Sequence, residues 1–166
     1  MNAKEYNIAV ESFADNIYRF ALKHLRNEMS AKDIVQETFL KVWEKHESVE
    51  NEKVKSYLFT TAYHSIIDFL KKEKRSGDIE KIGFEKESTF ETDFMASQGD
   101  LKEALEKALN TLPEIQKTVV LLRDYEGYSY EEIAKITDLT ESQVKVYIFR
   151  ARQKLKSYIK SIEQTV

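Results

Sequence analysis

The sequence predicts an all-α chain: two small helical modules on a flexible linker, the C-terminal one a helix-turn-helix. Three observations carry that expectation. Apolar residues recur at helical spacing through most of residues 4–72 and again after about residue 100, with no convincing strand alternation and no repeat. Only four Gly and one Pro interrupt 166 residues, which suits helices better than turns. The stretch 76–100 breaks the pattern, with three of the four glycines and seven acids against two lysines. The expected organisation is a helical module over 1–75, an acidic linker over 76–100 and a second helical module over 101–166.

Each element has its own signals. A first helix is expected over about 4–25, with Phe13, Ile17, Phe20 and Ala21 on one stripe. Ser30 lies three residues before Asp33 and reads as the cap of a helix running to about residue 45. Asn51 reads as the cap of a third helix reaching about residue 72. Beyond the linker, helix resumes over about 100–109. Pro113 suits the first position of the next helix and Gly127 ends it. Ser129 before Glu132 and Thr140 before Gln143 both fit the capping box, in which hydroxyl and N3 side chain satisfy each other's backbone amides. Two capped helices this close together form a helix-turn-helix, whose second helix can enter a DNA major groove.

Composition excludes several classes. The absence of cysteine removes disulfides and thiolate metal sites. No apolar run approaches the roughly 20 residues that cross a bilayer, and MNAKEYNIAV lacks the pattern of a signal peptide. A cytoplasmic protein without membrane insertion is expected. His24, His46 and His64 have no second ligand at i, i+4, and phosphate-loop, HExxH and nucleophile-elbow motifs are absent. The expectation is therefore no catalysis, no metal, no cofactor and no small-molecule substrate.

The net charge of −3 conceals a division. Residues 53–75 carry six Lys or Arg against two acids, and residues 140–160 carry six against one. Two basic blocks around an acidic one suggest two nucleic-acid contacts. As a coil the linker spans roughly 25–30 Å, and pulled straight roughly 80 Å. At ~3.4 Å per base pair, the contacts could lie roughly eight to more than twenty base pairs apart.

Three helices carry the candidate interfaces. At roughly 100° per residue, Ile34, Val35, Thr38, Phe39 and Val42 face inward, while Asp33, Gln36, Leu40 and Trp43 share the other side. A Leu and a Trp on a polar stripe fit a partner surface; they equally fit a core Trp beside a scattered surface Leu. The helix over 56–75 interleaves Tyr57, Phe59, Tyr63 and Phe69 with Lys71, Lys72, Lys74 and Arg75. That mixture suits stacking on unpaired bases and tracking phosphates, or else core packing with cations complementing the helix dipole. In the last helix Val144, Ile148, Ala151 and Leu155 face inward, opposite Lys145, Phe149, Arg152 and Lys156, with Val146 and Arg150 on the flanks. Cations there can meet guanine edges or phosphates, and Val or Phe can meet thymine methyls. Gln143 can cap the helix or read adenine, with the cap favoured.

The run DIVQETFLKVW, the helix over 57–75 and VKVYIFRARQKL, in this order and spacing, resemble bacterial RNA polymerase sigma factors of the extracytoplasmic-function (ECF) group over essentially residues 8–160. The resemblance implies that Asp33, Gln36, Glu37, Leu40 and Trp43 dock on the polymerase clamp helices. It implies downstream promoter contacts from Lys53, Tyr57, Tyr63, His64, Lys71 and Arg75, with bases held flipped out of the melted strand. Upstream promoter contacts fall on Ser142, Gln143, Lys145, Val146, Phe149 and Arg150, with Arg152, Lys154 and Lys156 on phosphates. The implied partners are core RNA polymerase (clamp helices and flap), promoter DNA and an anti-sigma factor, and the linker is implied to thread toward the polymerase cleft. The chain departs from the family pattern at four places. Tyr57 stands where Trp is common, and Ala62, Tyr63, His64 replace an Ala-Arg-Asn run, so His64 occupies the base-capturing Asn position. Val146 and Tyr147 replace a small residue and an Arg, so base preference does not transfer. The rival readings are a helix-turn-helix regulator that binds duplex DNA without polymerase, and a helical adaptor or inhibitor that binds polymerase without reading promoters.

Overall fold

The computed structural model of the chain describes residues 1–76 and 100–165, and every regular element among them is helical. The expected linker lies almost wholly outside the described residues.

Helix α1, Ala3–Leu25, begins with a capping box between Asn2 and Glu5 and ends at Arg26, whose left-handed backbone lets its N–H bond back to Leu22. Helix α2, Glu28–Glu44, starts earlier than Ser30 predicts. Asn27 stands first in the chain with extended backbone, and its side chain accepts from the Ser30 amide at 2.8 Å. Two cap-competent residues compete here, and the earlier one captures the free amide. Asn51 likewise caps nothing: it opens a 3₁₀ turn over Asn51–Lys53, and α3, Val54–Arg75, follows without a side-chain cap. Helices α1, α2 and α3 pack pairwise into a bundle around Ile17, Phe20, Ile34, Val42, Leu58 and Ile66. Burying each such side chain stabilises the fold by roughly 1.5–3 kcal/mol.

The second module contains α4, Asp100–Asn110, and α5, Glu114–Val120. Pro113 is the N-cap of α5 rather than its first residue. A π-type turn over Leu121–Tyr125 extends α5, and Gly127 ends it with φ 78°, a conformation glycine adopts without strain. Helix α6, Tyr130–Thr137, and α7, Glu141–Thr165, form the helix-turn-helix. Helix α7 runs for 25 residues, and α4, α5 and α6 all pack on it.

The two modules are docked. Helix α3 packs against α6, and α1 against α4 and α5. Phe59 of α3 meets Tyr128 of the second module edge-on at 5.8 Å, so the two apolar cores merge.

Candidate nucleic-acid and partner interfaces

Periodicity divides α2 correctly. Ile34, Thr38, Phe39 and Val42 are buried and Val35 is half-buried, while Asp33, Gln36, Glu37, Leu40 and Trp43 are exposed. Leu40 keeps 59% of its surface in solvent and Trp43 38%. Trp43 is nevertheless not loose. Its ring stacks on His46 at 3.9 Å and nearly parallel, and meets Tyr6 at 4.8 Å. His46 Nδ1 lies 2.6 Å from the Trp43 carbonyl, and Tyr6 donates its hydroxyl to the Phe39 carbonyl. An exposed indole fixed in place loses little rotamer freedom on binding, which suits an interface anchor. Glu37 is tied inward as well: it pairs with Lys41 at 2.8 Å and accepts from Ser65 of α3 at 3.2 Å. The Lys41 hydrogen bond, acting against partial burial, holds the Glu37 carboxyl below the ordinary range.

On α3, Tyr57, His64, Lys71 and Arg75 fall within roughly 40° of one another at about 100° per residue. His64, Lys71 and Arg75 are exposed, Tyr57 is half-buried, and Lys53 is exposed in the turn before the helix. These five make one basic and aromatic stripe. Tyr63 does not join it. It lies roughly 120° round the helix from Tyr57, is half-buried, and its phenol pKa is raised by burial and then by the Glu114 charge. Phe59 is fully buried and cannot stack on a base.

The helix-turn-helix is built as its capping signals predict. Ser129 accepts from the Glu132 amide while the Glu132 side chain takes the Ser129 N–H. Helix α6 ends at Asp138, whose left-handed φ of 61° turns the chain. Thr140 Oγ1 accepts from the Gln143 amide at 3.1 Å, and Gln143 Oε1 accepts from the Thr140 amide at 3.0 Å. Gln143 is thus engaged as a cap. Val144, Ile148 and Ala151 are buried, and Ser142, Gln143, Lys145, Val146, Phe149, Arg150 and Arg152 are exposed. Phe149 leaves 63% of its surface in solvent and Val146 43%, an apolar pair set among cations. Two of those cations are held in place. Arg152 makes a two-bond ion pair with Asp124, at 2.5 and 3.2 Å. Lys145 and Arg123 both lie over the Tyr130 ring, at 5.6 and 4.6 Å.

Comparison with known proteins decides the family. Residues 9–76 match the model for Sigma-70 region 2, and residues 102–155 match that for Sigma-70, region 4. The ECF RNA polymerase sigma factor SigM of Bacillus subtilis is 30% identical over 149 residues, 89% of this chain and 90% of that protein. The chain belongs to the ECF sigma factors. SigV of the same organism, an RNA polymerase sigma factor, is 35% identical over 82% of this sigma factor and 80% of its own length. Among solved structures, the sigma factor RpoE from Bartonella quintana, in complex with the anti-sigma factor NepR, superposes with a TM-score of 0.76 at 25% identity, over 95% of this chain and 98% of that one. CnrH, in complex with the cytosolic domain of CnrY, shares the fold at 19% identity and a TM-score of 0.70, over 96% of this chain and 90% of that one.

In this sigma factor the residues expected at the three surfaces, Tyr63 apart, lie on outward stripes of α2, α3 with the turn before it, and α7. Among the described residues no helix is long and apolar enough to cross a membrane, and no group of three or more His, Asp or Glu is placed to hold a metal ion. Sequence reasoning missed the residues that join the modules. His24, Lys117 and Thr118 are buried there, and the exposed Glu114 lies against His24. One signal pointed to it: His24 continues the apolar stripe of Ile17, Phe20 and Ala21.

Proposed function

We propose that this sigma factor binds core RNA polymerase through α2, reads the upstream promoter element with α7, and captures the melted downstream element with the α3 stripe and the turn before it. Docking rests on Leu40 and Trp43, flanked by Asp33, Gln36 and Glu37. Upstream reading rests on Lys145, Val146, Phe149 and Arg150, with Arg152, Lys154 and Lys156 toward phosphates and Ser142 beside the helix N-terminus. Downstream capture rests on Lys53, Tyr57, His64, Lys71 and Arg75. Tyr63, half-buried on another side of α3, lies outside this stripe. The sigma factor acts in the cytoplasm, where the polymerase supplies the chemistry and this chain supplies no catalytic group. An anti-sigma factor is the regulatory partner implied.

The observation that carries this reading is the exposure of Leu40 beside a Trp43 fixed by Tyr6 and His46. A regulator that binds DNA alone has no use for a prepared apolar anchor far from its recognition helix. Affinity capture with the tagged chain tests it: the polymerase β′ subunit co-purifies with the wild type and is lost with Leu40→Glu plus Trp43→Glu. Retention of β′ by that double variant removes α2 as the docking element.

A further inference from the structure

The stripe on α3 carries one residue that the holding of an anionic strand does not explain. Asp68 is exposed and lies between His64 and Lys71 along the helix. At about 100° per residue it falls roughly 40° round from His64 and roughly 20° from Tyr57 and Arg75. It is the one acid of α3 on that face. Glu73, the helix's other carboxylate, lies roughly 160° round from Tyr57.

An acid three or four residues before a lysine ordinarily pairs with it along the helix. Asp68 has Lys71 and Lys72 at those spacings and bonds to neither; among the described residues it has no hydrogen-bond or ion-pair partner. Lys72 instead lends its charge to Glu37 on α2. A free carboxylate repels phosphate, so a strand that follows Lys71 and Arg75 presents something other than its backbone at Asp68. What remains is a base edge.

A carboxylate accepts hydrogen bonds and donates none. Of the four bases, guanine alone sets two donors side by side, N1–H and the N2 amine on its Watson–Crick edge. Two parallel donors are the arrangement a carboxylate takes best. Adenine and cytosine offer one donor beside an acceptor, and thymine one donor between two carbonyl oxygens. Each of these turns a lone pair toward one of the carboxylate oxygens.

We propose that Asp68 is a specificity-determining residue for the downstream element, reading one unpaired guanine through a two-bond carboxylate contact. The proposal rests on the reading of α3 as the surface that holds melted DNA. In a duplex, guanine shows the major groove only acceptors, N7 and O6, which the carboxylate repels. Asp68 therefore disfavours a paired guanine and accepts an unpaired one, and so couples base choice to strand opening. His64, one turn or roughly 6 Å along the helix, stands beside the same or the neighbouring nucleotide.

Run-off transcription by the holoenzyme on a promoter library randomised across the downstream element tests this. With the wild type, transcripts should be enriched in guanine at one position of the melted strand by about fivefold or more, the discrimination a good two-bond contact gives. Asp68→Asn should erase that enrichment, because an amide finds a donor beside an acceptor on every base. Asp68→Ala should erase it as well. Asp68 is exposed and unbonded among the described residues, so both variants should keep wild-type helicity and thermal stability. A second arm uses fork templates whose strand is already open. Inosine in place of the selected guanine removes only the N2 amine; it should weaken wild-type binding several-fold and leave Asp68→Asn unaffected. Replacement by 7-deazaguanine, which lacks only the N7 acceptor, should change neither. Sensitivity to 7-deazaguanine rather than inosine overturns the Watson–Crick contact. Enrichment that survives both Asp68 variants overturns the assignment. So does a uniform rise in transcription with Asp68→Asn at unchanged base preference, which reduces the carboxylate to a charge against phosphate. His64→Ala separates that failure from a failure of the surface: if it alters selection while the Asp68 variants do not, α3 keeps its role and Asp68 loses its own. If no transcript depends on the chain, the sigma-factor reading fails and the proposal falls with it.

Discussion

Trp43 and Phe149 are both aromatic, both exposed and both on helices, yet their surroundings suit them to different work. Trp43 is braced by Tyr6 and His46, which fits docking on a protein. Phe149, which stacks on no ring among the described residues, stands between Lys145 and Arg150 on a basic helix, which fits a groove lined with thymine methyls. Phe149→Ala is expected to relax base preference at the upstream element by about 1–3 kcal/mol, read as loss of discrimination between single-base promoter variants. Lys154→Ala should weaken all sequences alike and reduce the salt slope by about one. Asp124→Asn frees Arg152 from its paired carboxylate. The freed guanidinium should bind DNA more tightly and steepen the salt dependence. An unchanged slope would show that Asp124 does not compete with phosphate. His64, exposed on the α3 stripe, tests base capture. His64→Ala is expected to lower open-complex yield, measured by permanganate reactivity of unpaired thymines, and equal reactivity removes it from the melting surface.

At the scale of elements, the caps are the most local and most testable features. Ser129→Ala and Thr140→Ala each lose a hydroxyl that accepts from an N3 amide, at a cost of about 1 kcal/mol in thermal or urea unfolding. Gln143→Ala should cost stability without altering base choice, since its side chain faces its own helix start. The same elements show what a sequence can reveal. Both capping boxes of the helix-turn-helix, and the inward and outward faces of α2 and α7, follow from spacing because each depends on neighbours one turn away. Asn27 in place of Ser30 could not be chosen that way: two residues with equal capping chemistry differ only in which amide the folded chain presents. Phe59 resisted for another reason. Periodicity shows that one face is covered, but not that the second module adds a further cover to α3. The His24 cluster was hidden for the same cause, since a histidine on an apolar stripe gives no hint that its partner lies 90 residues away.

For the whole molecule, docking of the modules makes stability depend on pH. Lys117 titrates near 8 in the docked chain against an ordinary 10.5, so its burial penalty falls as pH rises between those values. Amide exchange in α5, corrected for intrinsic base catalysis, should therefore slow relative to α7 between about pH 7 and pH 10. Equal protection across that range would mean that Lys117 reaches water without the modules parting. The central claim concerns a larger assembly: a chain with separate promoter-reading ends, carried by polymerase through α2. Transcription by purified core polymerase on a genomic promoter library tests it most directly. The account predicts discrete start sites that require this chain and vanish with Leu40→Glu plus Trp43→Glu, a variant that keeps wild-type helicity. Start sites independent of the chain, or undiminished in the double variant, would contradict it.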